Sequence, residues 1–206
     1  MALKAPIICV TGPIAAGKTT LIGPLAACLE AVAYRERNDT NPAYAASLRQ
    51  PKRWAFESEI TFTLDNLENW SRARKAGGMA VLERCPADST AVFGASRLAH
   101  NEISEREFQL LCRCAGLAPS LGGVPDLVIL LSCPANIAYE RVMRRHEDGE
   151  EAYTEEYLEE ISSRYEDWGR HWSDSPIIQF DSAINDVRVP TTVHALASGI
   201  KQNLGL

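Results

Sequence analysis

The sequence predicts an α/β fold: a five-stranded parallel sheet with helices on both faces. Three observations carry that expectation. Short apolar runs alternate with helical patterns along the whole chain, which is how a parallel sheet is written in sequence. The run from Pro125 to Leu131 ends in five consecutive apolar residues, as expected of a strand covered on both faces. Between the first strand and the first helix lies a glycine-rich loop, Gly12-Pro13-Ile14-Ala15-Ala16-Gly17-Lys18-Thr19, standing where such a sheet opens into its first crossover.

The elements follow in order. Ile7 to Val10 is a short apolar run closed by Thr11-Gly12 and reads as the first strand. A helical pattern runs from Lys18 to about Glu30, and Val32 to Glu36 is a weaker second strand. Asn38 to Pro42 is rich in turn formers. A long helix is expected from about Pro51 to Lys75; proline is tolerated in its first turn and Gly77-Gly78 stops it. Met79 to Leu82 is the third strand, with helical stretches over roughly Ala87 to Ala99 and Ser104 to Ala115. Pro125 to Leu131 is the fourth strand, after which Pro134 opens a helix that runs into a charged patch, Arg141 to Glu151. The next helix carries Tyr157, Leu158, Ile161, Tyr165, Trp168 and Trp172 at three- and four-residue steps, a stripe that reads as core packing. Pro176 to Phe180 is the fifth strand and Val193 to Leu204 the last helix. No repeat or linker interrupts the pattern, so one domain over residues 1–206 is expected.

Composition narrows the class. With 206 residues, 46% hydrophobic and 23% charged, the chain has material for one sizeable core. No apolar run approaches the ~18 residues of a membrane helix, so no membrane partner is expected. The stretch Met1 to Val10 lacks the cleavage site of a signal peptide, and a cytoplasmic protein is expected. The net charge of −6 disfavours nonspecific nucleic-acid binding, which depends on neutralising phosphates. None of the six cysteines forms a C-x-x-C pair, so structural thiols in a reducing compartment are expected and zinc is not.

The loop matches G-x-x-x-x-G-K-[ST], the phosphate-binding P-loop, and makes the predicted sheet P-loop NTPase-type. Gly12 and Gly17 allow the backbone to curl, so that N–H groups from Ala15, Ala16 and Gly17 into Thr20 meet phosphate oxygens at a helix N-terminus. Lys18 supplies charge to the β- and γ-phosphates, and the Thr19 hydroxyl is a ligand for Mg²⁺. ATP and Mg²⁺ are the expected cofactors. No N-K-x-D of a GTPase is present, and the fourth strand leads to Ser132-Cys133 rather than the Asp-Glu of a motor ATPase. The short length and late charged segment, about 141–152, fit a small-molecule kinase with an Arg-rich lid.

At Glu83-Arg84-Cys85 the sequence resembles the deoxynucleoside kinase family, whose hallmark there is Asp/Glu-Arg-Ser. The resemblance extends over nearly the whole chain, through the phosphate loop, Glu36, Pro51-Lys52-Arg53-Trp54-Ala55-Phe56-Glu57, Pro125 to Leu131, and Arg141-Val142-Met143-Arg144-Arg145 leading to Glu156-Tyr157-Leu158. It implies a catalytic set of Glu36, Arg84, Lys18, Arg141 and Arg145. Glu36 would take the proton of the attacking hydroxyl, and Glu83 would join Thr19 at the metal. Arg84 would bridge donor phosphate and acceptor, and the lid arginines, Arg144 among them, would hold the transferring group. The stretch from Asp181 to Asp186 resembles the loop along the adenine. Homodimerisation is implied too, with apolar residues of the long helix and of Phe108 to Cys112 as candidate surfaces.

The acceptor side departs from the family. A base-reading Gln corresponds to Glu59, a supporting Arg to Asn66, a sugar-contacting Tyr to Leu48 and an Asp to Ser89, although Asp88 is adjacent. A lid Arg appears as Glu147, while the sugar-contacting Glu is kept as Glu150; Trp54 stays in the substrate segment. Gln to Glu removes a donor and adds a charge. The favoured expectation is transfer of the γ-phosphate of ATP to the 5′-hydroxyl of a deoxynucleoside. A modified nucleoside, another small alcohol, a hydroxymethyl base in DNA (disfavoured by charge) and a non-catalytic nucleotide-binding role stay open.

Overall fold

The computed structural model describes residues 5–206; Met1 to Lys4, part of the N-terminal stretch read for a signal peptide, lie outside the described residues. Five strands, β1 (Ile7–Thr11), β2 (Val32–Tyr34), β3 (Ala80–Glu83), β4 (Leu127–Ser132) and β5 (Ile177–Asp181), form one sheet in the order β2-β3-β1-β4-β5. Every pairing is parallel. The predicted five-stranded parallel α/β sheet is therefore what the chain forms.

Alternation along the strands assigns the two layers. Ile8 and Val10 pack with Leu21, Ile22 and Leu25 of α1 (Lys18–Leu29) and with Val193 and Ile200 of α10 (Pro190–Leu204). Ile7 turns to Trp70 of α3 (Pro51–Ala76), and Cys9 to the side of Trp168 and Trp172. The first of these tryptophans belongs to α9 (Glu155–His171). Leu158, Ile161 and Tyr165 of that helix are buried and form core, as expected, whereas Tyr157 of the same stripe lines the cleft described below. The six cysteines are free; Cys9, Cys85 and Cys133 are buried, whereas Cys112 is exposed.

Two parts of the chain differ from the sequence reading. The stretch predicted as one helix over 87–99 is α4 (Pro86–Asp88), a π-helical segment Ser89–Gly94, and α5 (Ala95–Ala99), followed by α6 (Glu105–Ala115) and α7 (Ala118–Leu121). After the turn at Asn38–Thr40 stands a short helix, α2 (Tyr44–Arg49). Its six residues are too few to show a periodic pattern. The charged patch comprises the end of α8 (Ala135–Arg145), a turn, and a 3-10 segment Glu150–Ala152.

Candidate active site

All five strands run the same way, so their carboxyl ends share one edge, the usual ligand position in such sheets. A cleft of about 920 Å³ opens there. Its donor end is the glycine-rich loop. Gly12 has φ +139°, and a Cβ at that position would stand 2.4 Å from the Leu131 carbonyl oxygen of β4; only glycine lets the loop cross the strand so closely. Gly17, with φ +93°, caps α1. Ala15, Gly17, Lys18, Thr19 and Thr20 line the cleft; Gly12 and Ala16 contribute loop backbone behind that wall. The Lys18 ammonium donates to the carbonyls of Gly12 (2.9 Å) and Pro13 (2.6 Å), which hold it in the curve of the loop. Burial first, then repulsion by Arg84, lowers its pKa to about 7.

The Thr19 hydroxyl donates to Glu83 Oε1 at 2.7 Å, joining the loop to the end of β3. Glu83 Oε2 is buried without a hydrogen-bond partner, and burial followed by the nearby Glu36 charge raises the carboxyl above its ordinary pKa. A buried carboxylate oxygen of this kind, one bond from a hydroxyl ligand, fits a divalent cation. Among the described residues no cluster of three or more His, Cys, Asp or Glu side chains suited to a metal is present.

Beside Glu83, Arg84 adopts a left-handed backbone (φ 67°), unusual for a residue with a Cβ. Its side chain is pinned: Nε donates to Glu36 Oε2 at 2.7 Å and Nη1 donates to the Tyr165 hydroxyl. Both ends of the Arg84–Glu36 pair are largely buried. Asp88, directly below, accepts from the Cys85 amide (3.0 Å), the Tyr165 hydroxyl (3.1 Å) and Thr11. Burial pushes its carboxyl up to about 6 against the pull of Arg84. Tyr165, read as pure core, therefore also positions Arg84.

Arg141 donates across the donor end, to the Ala15 carbonyl (3.1 Å), the Ser182 hydroxyl (3.2 Å) and the Ser182 carbonyl (3.0 Å). Arg144 and Arg145, adjacent in sequence, both line the cleft. Arg145 Nε donates to Glu150 Oε2 at 2.6 Å. Asp181 does not reach the wall; its carboxylate accepts from the amides of Ala183 (2.8 Å) and Ile184 (3.3 Å). It shapes the loop from which Ser182, Ala183 and Arg188 face the cleft.

On the acceptor side, the positions that depart from the family pair with one another or with residues sequence reasoning missed. Glu59, in the wall, accepts from Arg97 Nε at 3.3 Å, and Arg97 Nη1 also donates to Glu102 at 2.7 Å. Asn66 donates to the Ser89 hydroxyl at 3.1 Å. Leu48 and Trp54 are not in the wall: Leu48 packs against the main core and Trp54 lies beneath the Arg53 guanidinium. Tyr44, one turn before Leu48, faces the cleft instead, and its hydroxyl donates to Glu150 at 3.0 Å and meets that of Tyr153 at 3.3 Å. Glu150 itself sits behind the wall, almost fully buried. Phe62, Phe93 and Tyr157 supply aromatic surface. Neither Tyr44 nor Arg97 was legible in the sequence: the helix that carries Tyr44 is too short to show a periodic pattern, and nothing local links Arg97 to Glu59.

Comparison with known proteins agrees with this geometry. The family model for deoxynucleoside kinases matches residues 8–200. A deoxyadenosine/deoxycytidine kinase from Bacillus subtilis is 25% identical over 97% of this chain and 95% of its own length. A deoxyadenosine kinase from Dictyostelium discoideum is 24% identical over 81% of this chain and 67% of its own. Among solved structures, the deoxyadenosine kinase of M. mycoides with dCMP and a flexible dCDP bound superposes with a TM-score of 0.81 at 20% identity, covering 95% of this chain and 99% of that one. Its dATP-bound form gives 0.79 at 20% identity, over 94% and 98%.

Proposed function

The chain belongs to the deoxynucleoside kinase family, and on that premise we propose that it transfers the γ-phosphate of ATP to the 5′-hydroxyl of a deoxynucleoside held between α3 and the Ser89–Gly94 segment. Membership makes it a phosphotransferase with an alcohol acceptor; hydroxymethylated DNA and a purely binding role are not favoured by it. The observation that carries the residue roles is the convergence of Lys18, Thr19, Glu83, Arg84 and Glu36 on one cleft.

Glu36 is the proposed base. Arg84 occupies its Oε2, while Oε1 has no hydrogen-bond partner among the described residues and is available to the acceptor hydroxyl. Lys18, Arg84, Arg141 and Arg145 then balance charge as the γ-phosphoryl group moves, where loss of a single such donor costs ~3–4 kcal/mol. Thr19 and Glu83 are the proposed holders of Mg²⁺, which when bound neutralises phosphate charge. Residues 141–152 are the proposed lid. The same reading takes 1–206 as one domain and, from the free thiols, a reducing cytoplasm. It also takes a homodimer through α3, α6 and α7, where Leu64, Leu110, Leu117 and Leu121 are exposed.

The test is transfer of label from γ-labelled ATP with Mg²⁺ to a panel of nucleosides, nucleotides and hydroxymethylated DNA. Label is expected on the 5′-oxygen of a deoxynucleoside. Glu36→Gln is expected to lower kcat by ~10²–10⁴ while nucleotide binding persists. Label entering only DNA, or an unimpaired Glu36→Gln enzyme, would refute this route.

A further inference from the structure

Glu59 and Arg97 form a pair that the acceptor wall does not exhaust. They come from different elements, α3 and α5, and both line the cleft with largely buried side chains. Only Oε1 of Glu59 and the Nε and Nη1 groups of Arg97 are bonded; Glu59 Oε2 and Arg97 Nη2 have no hydrogen-bond partner among the described residues. Glu36 and Arg84 line the same cleft as Glu59 and Arg97, so the pair borders the volume next to the proposed transfer site. Phe62 and Phe93 line that same volume with aromatic rings.

A carboxylate next to a guanidinium presents acceptors and a donor side by side, and leaving them unpaired on ligand binding is costly. Among the common bases, guanine has the matching edge: two adjacent N–H donors, N1–H and the 2-amino group, beside an acceptor, O6. Adenine and cytosine set a ring-nitrogen lone pair against the carboxylate, and thymine offers a single donor. We infer that the Glu59–Arg97 pair is the base-reading element of this site and selects a 2-amino-6-oxopurine nucleoside, with Glu59 accepting from N1–H and the 2-amino group and Arg97 donating to O6. The inference rests on the proposed kinase reading and adds the acceptor's identity to it.

The experiment compares kcat/KM of the wild-type protein for deoxyguanosine, deoxyinosine, deoxyadenosine, deoxycytidine and thymidine with Mg²⁺ and ATP, then repeats the panel with Glu59→Gln. Deoxyguanosine is expected to be best. Deoxyinosine, which lacks only the 2-amino group, is expected to be poorer by ~10–100-fold. Glu59→Gln replaces an all-acceptor edge by one acceptor and one donor, so its preference is expected to move toward deoxyadenosine or deoxycytidine. A wild-type preference for deoxyadenosine, deoxycytidine or thymidine would overturn the inference and leave the kinase reading standing. So would a uniform fall across the panel in Glu59→Gln, which would make Glu59 a support for Arg97 alone. No phosphorylation of any nucleoside would end both.

Discussion

The arginine after β3 is held more firmly than its sequence neighbours indicate. Arg84 takes a left-handed backbone and is pinned by Glu36 and Tyr165, with Asp88 securing Tyr165 and the Cys85 amide. Such a conformation persists only where surrounding contacts over-determine it. Asp88 supplies several of those contacts in one fully buried carboxylate. Replacing Asp88 by Ala leaves the Cys85 N–H and the Thr11 hydroxyl short of an acceptor, at ~1–3 kcal/mol for a buried group. Thermal unfolding of Asp88→Ala is therefore expected at a Tm several degrees lower. An unchanged Tm would show that Asp88 does not secure this turn.

At the scale of elements, the 141–152 segment is tied to α2. Arg49 pairs with Asp148 (2.5 Å) and Glu151 (2.7 Å), and Asn38 donates to Glu147 at 3.1 Å. Exposed pairs of this kind contribute little each; the closer constraint is steric. Gly149 has φ +87°, and a Cβ there would stand 2.9 Å from the Ala45 Cα. Gly149→Ala is therefore expected to push the segment away from α2 and loosen the Tyr44–Glu150 contact in the acceptor wall. Steady-state kinetics should show the acceptor KM rising on the order of tenfold, since small misplacements of positioning groups are expensive. ATP binding should be nearly unchanged. An unaltered acceptor KM would show that α2 and this segment are not coupled.

For the whole molecule, a buried lysine in the phosphate loop links stability to pH. Lys18 titrates at about 7 in the fold against an ordinary 10.5, so between those values the unfolded chain binds the extra proton and folding gains stability as pH rises. Below about 7 that contribution is gone. The gain is up to ~1.4 kcal/mol per pH unit, and Lys18→Met removes it. The difference in stability between the wild-type protein and Lys18→Met, followed by denaturant unfolding from pH 7 to 10, should therefore shift steadily in favour of the wild type. A pH-independent difference would mean that burial does not neutralise this lysine. At the same scale, sedimentation at varied concentration tests the proposed dimer. Leu110→Glu with Leu117→Glu is expected to give monomers; unaltered sedimentation would exclude that face.

By itself the sequence determined the five strands, the principal helices and the glycine loop with Lys18 and Thr19, while Glu36, Glu83 and Arg84 followed from the family resemblance. The first of these signals are local: a periodic run, a fixed spacing, a glycine-rich turn. The tertiary structure decided the acceptor wall. Glu59 meets Arg97 and Asn66 meets Ser89 across 38 and 23 positions, Tyr44 takes the place expected of Leu48, and Tyr165 serves both core and site. Asp181 shapes a loop where a nucleotide contact was expected. Partners so far apart leave no periodicity to read, because a buried charge is satisfied by whatever the packing brings to it.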